Sequence, residues 1–151
     1  MINLYGISNI FTTVTSVAIA LFVYVKGYNN KISRMWSIFA VCVAIYGFGA
    51  YMASGSKDYE SAFLWWQISY VGVIMLPALF IHFVFVFLDV KRFALVKVIY
   101  AVSFFILGTD IFSKDLFIGN VSLLFHNSKW FKPAWWVYPP GPLHIFYTLV
   151  F

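Results

Sequence analysis

The stretch "LWWQISYVGVIMLPALFIHFVFVFL", residues 64–88, contains no Asp, Glu, Lys or Arg, yet it holds Pro77 and His82 in its interior. A bilayer core about 30 Å thick requires about 20 apolar residues per helical crossing, and this run exceeds that length. Hydrocarbon offers no partner to an unpaired backbone N–H or C=O, so a single apolar run of this kind crosses as a helix and not as an isolated strand.

The rest of the chain repeats the pattern. Apolar residues make up 63% of the sequence and charged residues 10%, against roughly half and a quarter in soluble domains. Complete apolar runs are expected over residues 4–25, 35–53, 63–88 and 93–109, and a further run opens at 143 and reaches 151. That last run is too short to cross at about 1.5 Å of rise per residue, so the expectation is a fragment of a longer chain. The predicted fold is an all-α polytopic transmembrane bundle with a structured outside loop over residues 110–142.

Orientation follows from basic residues. Lys26, Lys31 and Arg34 surround the first connector, and Lys91 and Arg92 form half of the third, with Lys97 close behind. The other side carries Lys57, Lys114, Lys129 and Lys132, spread over much longer segments. Connectors rich in Lys and Arg stay in the cytoplasm, which places the N-terminus outside. The first run lacks a preceding basic residue and therefore reads as an anchor, not a cleaved leader. The net charge of +5 reads as this orientation signal, or as contact with anionic lipid headgroups, with no nucleic acid implied. Cys42 is the only cysteine, which excludes an intrachain disulfide or a cysteine metal cluster.

Helical spacing organises the first two runs. Asn9, Thr13, Ser16 and Ala20 fall on one face, as do Ala40, Ala44 and Gly47; small and hydroxyl residues let helices approach closely. In the third run Pro77 has no N–H for the Val73 carbonyl and predicts a kink, which Gly72 would loosen. His82 has three readings. The favoured one is a neutral histidine bonded to another helix, ahead of a pH-responsive or ligand-sensing group. A metal or haem ligand is disfavoured because His126 and His144 fall near the other face, and no cofactor is expected.

Trp65 and Trp66 at the start of the third run, and Trp135 and Trp136 in the outside loop, read first as an interfacial aromatic belt. The alternative is an apolar outer pocket holding a small hydrophobic signal. The loop sequence "DLFIGNVSLLFHNSKWFKPAWWVYPPGP", residues 115–142, is too apolar for a linker. Residues 121–125 and 130–137 are expected to pair as a β-hairpin, although Pro133 interrupts the second strand. Gly141 and Pro142 suit the opening of the fifth helix. Asp58, Glu60, Asp89, Asp110 and Asp115 all fall in connectors or at run ends, which argues against ion-coupled transport. Catalytic motifs such as HExxH, CxxC or a phosphate loop do not occur.

With the order of runs, the basic first connector, "WWQISYVGVIMLPALFIHFVF" and "YPPGPLHIFYTLVF" in view, the chain resembles the seven-helix N-terminal sensor region of bacterial histidine kinases over nearly its whole length. The resemblance implies a partial N-terminal membrane sensor domain over residues 1–151. It would pass a signal from outside or from the bilayer to a cytoplasmic output module, a kinase or a diguanylate cyclase. It further implies residence in the bacterial cytoplasmic membrane and homodimerisation through the cytoplasmic modules. An architectural role for Gly72, Pro77, Gly141 and Pro142 is also implied. The rival readings are a transporter or channel component, with Gly72 and Pro77 marking a broken helix, and a structural membrane subunit.

Overall fold

A computed structural model of the chain describes residues 4–90, 93–112, 122–124 and 135–137. Four helices follow one another: α1 Leu4–Gly27, α2 Lys31–Ser54, α3 Tyr59–Phe87 and α4 Phe93–Phe112. All four are long and apolar enough to cross a bilayer. Side chains such as Phe11, Phe22, Phe104 and Phe105 point outward and are largely exposed, as lipid-facing residues are. The chain is an all-α integral membrane protein.

α2 and α3 begin ahead of their apolar runs because polar residues fix those boundaries. α2 begins four residues before its run, where the Asn30 side chain accepts from the Ile32 N–H at 2.9 Å. α3 likewise begins at Tyr59 because Asp58 Oδ1 accepts from the Ser61 N–H at 2.8 Å and Oδ2 accepts from the Ser61 hydroxyl at 3.0 Å. Such side-chain acceptors satisfy donors that the first helical turn leaves open. α3 closes with Asp89 at φ 53, while the Val90 N–H reaches back to the Phe85 carbonyl at 2.9 Å. This is a Schellman-type ending with aspartate at the left-handed position.

The helices run antiparallel to their chain neighbours. In the α1–α2 pair, Ser37 donates to the Ala20 carbonyl at 2.8 Å near one end, and Gly47 meets Asn9 and Thr13 near the other. The expected polar stripe of α1 therefore packs on α2, with Asn9, Ser16 and Ala20 buried. α2 and α3 come into close backbone contact at two points. A Cβ added at Gly49 would lie 2.7 Å from the Ser69 nitrogen, and one added at Gly72 would collide with the Cys42 carbonyl. Ser69 donates to the Tyr46 carbonyl at 3.0 Å across the same contact. α2 is thus small on two faces, with Ala40, Ala44 and Gly47 on one and Cys42, Gly49 and Ala53 on the other.

Two short strands, β1 Ser122–Leu124 and β2 Trp135–Val137, pair antiparallel with Leu123 opposite Trp136. They fall inside the two segments expected to form a hairpin, and β2 lies against α2. Pro133, Gly141, Pro142 and the expected fifth helix lie outside the described residues.

Candidate functional site

Helix α3 carries most of the candidate residues and separates them into two places. Its first half enters a buried cluster of Ala50, Ala53, Ala62, Phe63, Trp66, Tyr70, Ile74 and Ile106. Trp66 is only 2% exposed, so it is a core residue and not part of the interfacial belt expected of it. Its neighbour Trp65 is half-buried against that core and meets Phe48 edge-on, with ring centroids 5.7 Å apart at 87°. Edge-to-face pairs of this kind add about 0.5–1.5 kcal/mol beyond area burial. Trp135 and Trp136 belong to β2 and pair through the backbone with Leu124 and Leu123.

The second half of α3 crosses Pro77 without leaving the helical state. Gly72, expected to loosen this region, lies in close contact with the α2 backbone at Cys42 and Tyr46. Further on, His82 Nδ1 and the Tyr100 hydroxyl lie 3.1 Å apart in a hydrogen bond, and their rings meet edge-on at 5.7 Å. Geometry thus gives His82 the interhelical bond favoured by the sequence. His82 is about 24 Å along the helix from Trp66, so the two do not share a site.

Two cavities flank these residues. One is a groove of about 370 Å³ with Val17, Ala20, Leu21, Val41, Phe48 and Ile68 among its walls. It is apolar, and Phe48 carries it to the edge of Trp65. The other, about 290 Å³, is lined by Lys31, Arg34, Met35, Ile38, His82 and Val86 at the basic end of the bundle. Among the described residues, no three His, Cys, Asp or Glu side chains gather into a metal-binding group.

Asp110, expected at the start of the outside loop, lies within α4, which continues to Phe112 and turns it into the bundle, where it is 1% exposed. Its backbone carbonyl accepts from Gln67 Nε2 at 2.6 Å. Both carboxylate oxygens lack a partner among the described residues, as does the buried hydroxyl of Ser103. The spacing Ser103, Ile106, Asp110 is one helical face and could have signalled this burial.

Long apolar helices, close glycine crossings and polar groups at both ends define the class: a polytopic membrane domain built by helix packing. A model of the N-terminal 7TM region of histidine kinase matches residues 9–151, and the chain belongs to that family. A search of curated proteins and of solved structures found no match. The family is the sensor region of histidine kinases, apart from their catalytic domain.

Proposed function

We propose that this chain is a membrane-embedded sensory input domain that passes a signal from the outer face or the bilayer to a cytoplasmic output module of a histidine kinase. The N-terminus lies outside, in a bacterial cytoplasmic membrane, and the parent protein works as a homodimer joined through its output modules. A small apolar ligand, if one is the signal, has the groove beside Phe48 and Trp65 to enter.

The observation that carries this reading is the layout of α3. One helix joins the buried aromatic cluster around Trp66 to the His82–Tyr100 bond at the other end, with Pro77 between them. Proline removes one backbone hydrogen bond and weakens the helix at that turn, so two packings a few kcal/mol apart are accessible there. A signal acts by favouring one of them. At 29 residues, α3 is about 44 Å long, more than a bilayer core of about 30 Å, and so responds to bilayer thickness by tilting or bending.

The test uses the full-length kinase in proteoliposomes whose phosphatidylcholine acyl chains vary in length. Autophosphorylation of the wild type should change with thickness, and Pro77→Ala should flatten that dependence. A shift of about 1–2 kcal/mol in the packing equilibrium corresponds to a five- to thirtyfold change in ratio. Identical thickness profiles for wild type and variant would make Pro77 a packing residue only.

A further inference from the structure

At the basic end of the bundle, the first turns of α2 and the last turns of α3 enclose the cavity of about 290 Å³. Lys31 and Arg34 reach it from α2 and His82 from α3, while Met35, Ile38 and Val86 supply an apolar wall. This is an unusual place for two cations. A helix N-terminus already carries about half a positive charge, and an acidic residue is what normally stabilises it. The first turn of α2 has no acidic residue, so Lys31 and Arg34 add to the positive potential instead of balancing it. An anion seated there would meet both side chains within the positive potential at the start of α2.

We infer that this cavity binds the phosphate of an anionic phospholipid, with the first methylenes of its acyl chains against Met35, Ile38 and Val86. Three features favour a lipid over free phosphate. Ile38 is 49% exposed and continues the apolar wall into the lipid-facing surface. The cavity lies within about two turns of the start of α2 and the end of α3, which is headgroup depth for helices that cross the membrane. Its volume of about 290 Å³ lies just below the ~300–1,000 Å³ typical of small-molecule pockets, enough for a headgroup whose chains remain in the bilayer.

The bond between His82 Nδ1 and the Tyr100 hydroxyl fixes the imidazole and leaves Nε2 as the ring nitrogen available to a ligand. Arg34 offers a planar fork that matches two phosphate oxygens, and Lys31 offers a mobile point charge. The site stands on binding alone and does not depend on the signalling role proposed above.

The test is lipid retention by the purified full chain in native mass spectrometry. It compares phosphatidylglycerol with phosphatidylcholine of the same acyl length, with inorganic phosphate as competitor. Phosphatidylglycerol should be retained preferentially. Lys31→Gln and Arg34→Gln should each weaken it roughly fivefold, the effect of one basic residue at a membrane surface. Both residues are exposed, so these variants keep the fold, which the thermal midpoint verifies. His82→Phe keeps the ring volume and should also reduce retention. Lys97→Gln removes an exposed charge of α4 that does not line the cavity and should leave retention unchanged. Equal retention of the two lipids, or an equal loss with Lys97→Gln, would overturn the site in favour of diffuse electrostatics. Displacement of phosphatidylglycerol by inorganic phosphate at matching concentration would overturn the lipid assignment and leave a free-phosphate site.

Discussion

Asp58 sits outside the membrane-spanning helices, fully exposed, and the N–H and hydroxyl of Ser61 hold its carboxyl below the usual carboxylate range. A folded-state value below the unfolded one means the cap is fully present above the unfolded carboxylate range and is lost as pH falls through the depressed value. The start of α3 should therefore fray in acid, read as a fall in the hydrogen-exchange protection factor of the Ser61 amide, whereas Asp58→Asn should keep a cap with no such pH dependence. Acid-induced exchange that is equal in both proteins would remove Asp58 from that role. Asp89 makes a different demand on the same helix. At φ 53 it occupies a conformation that costs non-glycine residues roughly 1–2 kcal/mol, less for Asp and Asn. Asp89→Gly should raise the thermal midpoint of the domain and Asp89→Val should lower it, by an amount near that cost. Asp110 is the third residue of interest, since a buried carboxylate without a partner costs stability. With both carboxylate oxygens unpartnered among the described residues, Asp110→Asn should stabilise the detergent-solubilised domain by about 1–3 kcal/mol. A loss of stability would reveal a partner elsewhere in the chain.

At the scale of helices, crossings are set by where side chains are missing. Leu→Ala logic from soluble cores does not transfer to lipid, because apolar side chains gain little by leaving hydrocarbon, and close backbone approach supplies the packing instead. Gly72→Ala puts a methyl group onto the Cys42 carbonyl, which is backbone and cannot rotate away. It should cost about 1–3 kcal/mol, as overpacking does, and thermal unfolding in detergent measures it. Gly108→Ala is the control, since a Cβ there meets nothing within 4 Å. The α1 face of Asn9, Thr13, Ser16 and Ala20 was readable from sequence because its residues differ in kind from their lipid-facing neighbours. The α3-facing side of α2 was not, since Cys42 and Ala53 look like any apolar residue until Gly49 and Gly72 are brought opposite their contacts. Trp66 is ambiguous in sequence for a related reason: tryptophan near a helix start suits both a membrane interface and a buried core. Only the neighbouring Ala50, Ala53 and Ala62, small enough to admit its ring, decide between them.

For the whole molecule, the distribution of basic residues bears on which end faces the cytoplasm. The structure gathers Lys26, at the end of α1, and Lys31 and Arg34, at the start of α2, at one end of the bundle, whereas Lys57 lies in the α2–α3 connector at the other. Moving such charges across the bilayer opposes both the insertion bias of short basic loops and their attraction to anionic cytoplasmic headgroups. Cys42 is buried, so single cysteines can be placed against a low background. Asn29→Cys and Lys57→Cys both occupy exposed connector positions. In intact cells a membrane-impermeant maleimide should label residue 57, and residue 29 only after permeabilisation. The reverse pattern would invert the bundle, carry the cavity of Lys31, Arg34 and His82 to the outer leaflet, and remove the route by which α3 could hand a signal inward. Because both positions lie in connectors whose helices are fixed by the α1–α2 and α2–α3 crossings, a mixed pattern would indicate two inserted orientations rather than a flexible loop.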